Sequence, residues 1–89
     1  MTKADIVNEI ARRTGIERRQ VNECMEQFMQ IVKDSVTRRE GVYLRGFGTF
    51  TTKHRNEKAA RNITKGTAVV IPAHDIPFFK PSEEFKGML

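Results

Sequence analysis

An α+β fold, a helical base carrying a long two-stranded β-arm, follows from three features of the sequence. The first is an unbroken 3-4-3-4 ladder of apolar and small residues between Arg18 and Arg39, the mark of an amphipathic helix. The second is a change to strand-forming residues after Gly41, punctuated by Gly46 and Gly48. The third is the stretch from Arg45 to Pro72, which is basic, poor in core residues, and doubles back near Asn62 to Gly66.

Thr2 is a helix cap and Asp5, three residues on, can answer it. The helix runs from about Lys3 to Arg13 with Ile6, Val7, Ile10 and Ala11 on one face, and Gly15 supplies the left-handed residue that closes it. The second helix, about Arg18 to Arg39, aligns Val21, Cys24, Met25, Phe28, Ile31, Val32, Ser35 and Val36, and Gly41 ends it. Met29 widens that stripe, which suits a helix that touches both its own body and a partner. Cys24, inside the stripe, reads as a buried small apolar residue.

Val42 to Arg45 reads as a strand with Val42 and Leu44 inward, and Phe47 and Phe50 as core. Thr49 to Arg55 has strand propensity, with Lys53 and Arg55 on one face and Lys58 on the other, while Glu57 to Ala60 is less strand-like. Ala68 to Ile71 is the return strand, and Pro72 and Pro77 fit an edge. Ser82, followed by Glu83 and Glu84, starts a short last helix ending near Met88.

Charge is concentrated on the arm. Between Thr51 and Gly66, Lys53, Arg55, Lys58, Arg61 and Lys65 stand against Glu57 alone, so +4 of the formal +5 lies in 16 of 89 residues. Such a segment on a balanced chain is the footprint of a polyanion ligand, reached by cations along both limbs. Eighty-nine residues make one domain, and with about twenty in the arm the rest has a marginal core. With one Cys and no metal motif, a dimer with a shared core is the expected remedy. A lone Cys and the lack of an h-region or long apolar run point to the cytoplasm and exclude a membrane partner.

Gly46-Phe47-Gly48-Thr49-Phe50, Arg55, Arg61-Asn62, Gly66, Ile71-Pro72-Ala73 and Phe79-Lys80-Pro81, in that order, resemble the bacterial HU and integration host factor family over essentially all 89 residues. The resemblance implies two N-terminal helices, a three-stranded antiparallel sheet extended into a hairpin arm, a short C-terminal helix and an intertwined dimer. It implies a body at 1–52 and 75–89 and a DNA-binding arm at about 53–74. It also implies arms that enter the minor groove of double-stranded DNA, bending and compacting it in the nucleoid with weak sequence preference. The contacts it implies are Lys53, Arg55, Lys58, Arg61, Asn62, Ile63 and Lys65 at the arm, and Lys3, Gly46, Lys80 and Lys86 on the body. The tip departs from the family's Arg-Asn-Pro: Ile63 stands where a proline would wedge, an apolar residue able to kink a step but less rigidly held.

Other classes are weaker. No Ser-His-Asp, Cys-His or paired-carboxylate set can be nominated, so no enzyme, cofactor or small-molecule substrate is expected. His54 and His74 are solitary with no ligand spacing for a metal, and the Gly46/Gly48 pair lacks the Walker ending. Two alternatives stay open: a sequence-selective bender of the integration-host-factor type, forming one half of a heterodimer, and a module whose basic arm grips an acidic protein. For RNA, the sequence offers no evident platform of exposed aromatics.

Overall fold

The computed structural model describes residues 1–62 and 67–89, the side chains of 60–68 excepted. It divides into a helical unit, Met1–Ser35, and a sheet unit, Val36–Leu89.

In the helical unit, α1 spans Lys3–Thr14. Its start is the reciprocal cap that the sequence encodes: Asp5 N–H donates to Thr2 Oγ1 at 3.3 Å, and Thr2 N–H to Asp5 Oδ2 at 2.8 Å. The latter bond, with its side-chain counterpart, holds the Asp5 carboxyl below its usual pKa. Its end is Gly15 at φ 75°, whose N–H reaches Ala11 O. The longer α2 covers Arg18–Thr37. It stops two residues before the expected Arg39, and the turn is made by Arg39 itself at φ 64°, not by Gly41. Arg39 N–H bonds to Val36 O at 3.0 Å, which is how a non-glycine residue holds this left-handed position.

Val7, Val21, Ser35 and Val36 are buried, but Cys24, Phe28 and Ile31 in the middle of the ladder are exposed. Ile10, Ile16, Val21, Cys24, Met25 and Phe28 line a cavity of about 250 Å³. Cys24 is therefore exposed, contrary to the sequence reading. The 3-4 periodicity identifies a face that avoids water; it does not say whether that face is covered within one chain.

The sheet unit begins with β1 (Val42–Leu44) and β2 (Gly48–Arg55), continues into a ribbon of β3 (Lys58–Asn62) and β4 (Thr67–Ile71), and returns as β5 (His74–Pro81). The first sheet has the order β1-β2-β5 and the ribbon pairs β3 with β4, all antiparallel. Pro77 sits in β5, an edge strand, where a missing N–H is tolerated. Both ladders share one register. Arg55 pairs with His74, and Lys58 pairs with Ile71, three residues on in one limb and three back in the other. No bulge intervenes, so the two ladders are one ribbon interrupted at Asn56-Glu57 and Pro72-Ala73. Pro72 explains the interruption: it has no N–H to donate, and its carbonyl lies 2.9 Å from His74 Nδ1. Strand therefore resumes at Lys58, earlier than the sequence suggested.

Four phenylalanines cluster in this unit, but none is buried within the chain, and Phe47, expected as core, is 44% exposed. Phe47 lies 5.0 Å from Phe79 and 5.6 Å from Phe85, and Phe50 lies 4.9 Å from Phe79, ring centre to ring centre. Gly46, at φ 79°, lets the turn after β1 bring Phe47 into this cluster. Ser82 N–H then bonds to Phe47 O at 2.9 Å. From there Ser82 caps α3 (Glu83–Lys86), its hydroxyl accepting from Phe85 N–H at 3.1 Å. Gly48 is required for a different reason. A Cβ there would lie 2.5 Å from Lys80 O and 2.6 Å from the Phe79 ring. We expect Gly48→Ala to cost about 1–3 kcal/mol of stability through overpacking against β5, visible as a lower melting temperature. Gly41→Ala, whose nearest approaches are 3.6 and 3.7 Å, is the control that leaves the melt nearly unchanged.

Candidate nucleic-acid interface

Antiparallel partners point to the same side of a sheet, and successive residues alternate. The register therefore sorts the side chains. Val42, Leu44, Phe50 and Phe79 share the aromatic side. Tyr43, Thr49 and Lys80 share the other, followed by Thr51 with Phe78, Lys53 with Ile76, and Arg55 with His74. Lys53 Nζ sits 5.0 Å from the centre of the Phe78 ring, so its stem lies along apolar surface while its charge stays accessible. Lys58, opposite Ile71, falls on the other alternation, as the sequence pattern indicates.

Ion pairing separates the cations a second time. Arg12 and Arg13 both bind Glu9, which lowers that carboxyl's pKa through the Arg12 bond first and the Arg13 bond next. Lys3 is paired with Glu26, Arg38 with Glu40, Arg39 with Asp75, and Lys86 with Glu83. Arg45, Lys53, Arg55, Lys58 and Lys80 have no acidic partner among the described residues. Four of these five were chosen from the sequence. Arg45 was not, and it rims a cavity of about 460 Å³ together with Tyr43, Gly46, Thr49 and Lys80. Arg45 follows β1 directly, and the register sets Tyr43, which is 71% exposed, on the same face as Phe78. Two aromatics thus do stand on the open side of the sheet.

Lys3 and Lys86 are in ion pairs, so a phosphate would have to compete for them. Gly46 forms the turn beside Glu84. Arg61 and Asn62 occupy the last described rungs of the ribbon, opposite Ala68 and Thr67. Ile63 and Lys65 lie outside the described residues. One expectation needs correction: the cations do not follow both limbs. Lys53, Arg55, Lys58 and Arg61 all belong to the outgoing limb, and the return limb from Thr67 to Ile76 contains no Lys or Arg.

His54 is not incidental. Its Nδ1 lies 2.8 Å from Asp75 Oδ1, its cross-strand partner, and Arg39 Nη2 lies 3.2 Å from Asp75 Oδ2. Asp75 thus joins the turn after α2 to the last rungs before the ribbon is interrupted. The His54 hydrogen bond, then the charges of Arg39, His54 and His74, hold the Asp75 carboxyl below its usual value of 3.8.

The fold and this cation pattern define a class: a small α+β protein that presents unpaired basic side chains on a β-ribbon and its supporting sheet. The chain belongs to the bacterial DNA-binding protein family, whose model matches residues 1–89. It is 34% identical over 89 residues to the integration host factor subunit alpha of Bdellovibrio bacteriovorus, covering all of this chain and 81% of that one. It is 33% identical over 87 residues to the corresponding subunit of Thioalkalivibrio sulfidiphilus, covering 98% of this chain and 88% of the relative. Its fold matches the HU of an Anabaena HU–DNA cocrystal structure at a TM-score of 0.93 and 24% identity, over 99% and 96% of the two chains. A V42I mutant of HU from Thermotoga maritima matches at 0.73 and 17%, over 99% and 97%.

Because Asp75 has a depressed pKa, its contribution is complete above the usual carboxylate range and is lost as pH falls through the lower folded value. Asp75→Asn should therefore melt below the wild type at neutral pH, with the gap closing as pH falls below the usual carboxylate range. A gap undiminished in acid would assign the effect to something other than the carboxylate.

Proposed function

We propose that this protein is an architectural DNA-binding protein that grips double-stranded DNA from the minor groove and bends it, with weak sequence preference. The observation that carries this reading is the sorting of its cations: most of those on the helices and their ends are neutralised by acids, while Lys53, Arg55 and Lys58 of the outgoing limb and Arg45 and Lys80 of the outer sheet have no acidic partner among the described residues. Free cations on a ribbon release counterions from a duplex without regard to sequence. Ten residues from Lys53 to Asn62 reach roughly 33 Å, about one turn of duplex. A ribbon of two strands is marginal alone, so the arm gains order on binding. Lys53, Arg55, Lys58 and Lys80, with Arg45 added, are the phosphate contacts. Arg61 and Asn62 reach base edges at the tip, where A·T and T·A look alike, and Ile63 supplies the wedge. Lys3 and Lys86 contact flanking backbone by exchanging their carboxylates for phosphates.

The exposed helix stripe, including Phe28 and Ile31, is covered by a second subunit. Identity to alpha subunits of integration host factor favours a further reading, in which the second subunit is a different chain and the complex selects its site. Its place is the bacterial nucleoid, in the cytoplasm. No helix among the described residues is long and apolar enough to cross a membrane.

Electrophoresis of linear, nicked and four-way duplexes across a salt series tests the reading. The purified chain should shift all three, with affinity falling steeply as salt rises. Lys58→Ala with Arg61→Ala should weaken binding to every duplex and flatten the log–log salt slope by about 0.9 for each phosphate no longer neutralised. An unchanged slope removes the arm from the interface. Ile63→Ala should reduce energy transfer between dyes at the duplex ends more than it reduces affinity. A bend equal to that of the wild type would dismiss Ile63 as the wedge.

A further inference from the structure

The return limb has no Lys or Arg between Thr67 and Ile76, but it does carry an ionisable base on the open side of the sheet, His74. His74 opens β5, is exposed, and faces Arg55 of β2. Cross-strand partners share a side, so His74 stands with Arg55, and diagonally with Lys53, among the cations that lack acidic partners. The ring is also oriented. Its Nδ1 lies 2.9 Å from the Pro72 carbonyl, and a carbonyl only accepts, so Nδ1 carries a hydrogen and donates it. Nε2 then has no partner among the described residues. It is an acceptor while the ring is neutral and a donor once protonated. No acid engages this imidazole. Asp75, the next residue, turns to the opposite side, where His54 and Arg39 hold it. Glu57, in the facing interruption, forms no ion pair with His74.

We propose that His74 is a phosphate contact on the return limb, one that takes up a proton from solvent as the duplex binds, so that affinity rises as pH falls. The proposal rests on the DNA-binding reading above. Without DNA, a proton on Nε2 joins two cations, Arg55 and Lys53, on one face. A phosphate seated against Arg55 brings the opposite charge to the same rung and favours the charged imidazole. Cross-strand side chains start only about 4.5–5.5 Å apart at Cβ, a span that one phosphate group can bridge. The Nε2–H then donates a charge-assisted hydrogen bond to a phosphate oxygen. Lysine and arginine stay charged across neutral pH, whereas histidine changes charge between about pH 5 and 8. His74 therefore adds a proton-linked contribution to a salt-dependent interface, and linkage turns each proton taken up into a dependence of affinity on pH.

The test titrates the full-length protein with a linear duplex at about pH 6 and about pH 8, at one ionic strength, by fluorescence anisotropy. Calorimetry in two buffers of different ionisation heat counts the protons exchanged. Wild type should bind about fivefold or more tightly at the lower pH and take up protons as it does so. His74→Gln should lose most of that gain and lower the uptake by about one proton per subunit. His74→Lys makes the charge permanent. It should bind at the higher pH about as tightly as wild type does at the lower, with an uptake as small as that of His74→Gln. His54→Gln, which alters the imidazole on the opposite side, should keep the wild-type uptake. Uptake equal to the wild type's in both His74 variants overturns the proposal. So does a His74→Lys protein that binds no better than His74→Gln at the higher pH, because a cation at that place then does not meet the duplex. Loss of the uptake in His54→Gln also overturns it, since the proton then belongs to the Asp75 pair. Wild type whose affinity ignores pH refutes this inference alone, whereas failure to bind any duplex at either pH refutes the DNA-binding reading beneath it.

Discussion

The constraint on which the other features depend is the register that β2 and β3 share with β4 and β5. Because the period of a strand is two, one slipped residue would exchange its faces along the whole length. Phe50 would leave the ring cluster, and Lys53 and Arg55 would turn toward it. The register is pinned at the sheet end, where Gly48 permits the close approach to Lys80 and Phe79, and where Ser82 is tied to Phe47 O. It survives the interruption at Pro72 because equal lengths of chain are unpaired on the two limbs. An insertion on one side alone would rotate the ribbon's cations relative to those of the sheet.

A second level of order is electrostatic. A surface ion pair adds little stability, typically well under 1 kcal/mol. Its larger consequence here is to decide which charges remain available. Glu9, Glu26, Glu40 and Glu83 each take up basic side chains, while no acid among the described residues comes within ion-pairing distance of the outer sheet's Arg45, Lys53, Arg55 and Lys80. Asp75 lies at the base of the ribbon, but it is engaged from two sides by His54 and Arg39. A net charge of +5 understates the field that a ligand would meet, since the neutralised cations and their acids cancel locally.

Much of this was legible in the sequence because it is local. The Thr2–Asp5 cap, Gly15, the length of α1 and the Ser82 cap depend on spacings of three or four residues, and each formed as written. The alternation of Val42, Tyr43 and Leu44, and of Lys53 and Arg55 against Lys58, also needs only the strand period. What was not legible required partners distant in sequence. Glu26 lies 23 residues from Lys3 and Asp75 lies 21 from His54, so neither pair shows in any window. Arg45 and Tyr43 joined the site only when β1 was laid beside β2 and Lys80. The end of α2 was misjudged because Arg39 adopts a backbone conformation that glycine usually supplies, and Cys24 because periodicity cannot distinguish a covered face from an open one.

The two limbs of the ribbon divide two requirements that conflict within one strand. Phosphate binding needs Lys and Arg, whose repulsion and weak strand preference work against a ribbon that has no second layer. Strand formation favours Val, Ile and Thr, which bring no charge. Here the outgoing limb carries Lys53, Arg55, Lys58 and Arg61, and the return limb sets Ile71, Val70 and Val69 against Lys58, Ala59 and Ala60. Lys53, Lys58, Ala59 and Ala60 are therefore each backed by a β-branched neighbour that favours the extended backbone. The cost is an edge without the usual protection against pairing. A hairpin with cations distributed on both limbs would bind phosphate over a wider front, but it would lose both the strand propensity of β4 and the uncharged edge.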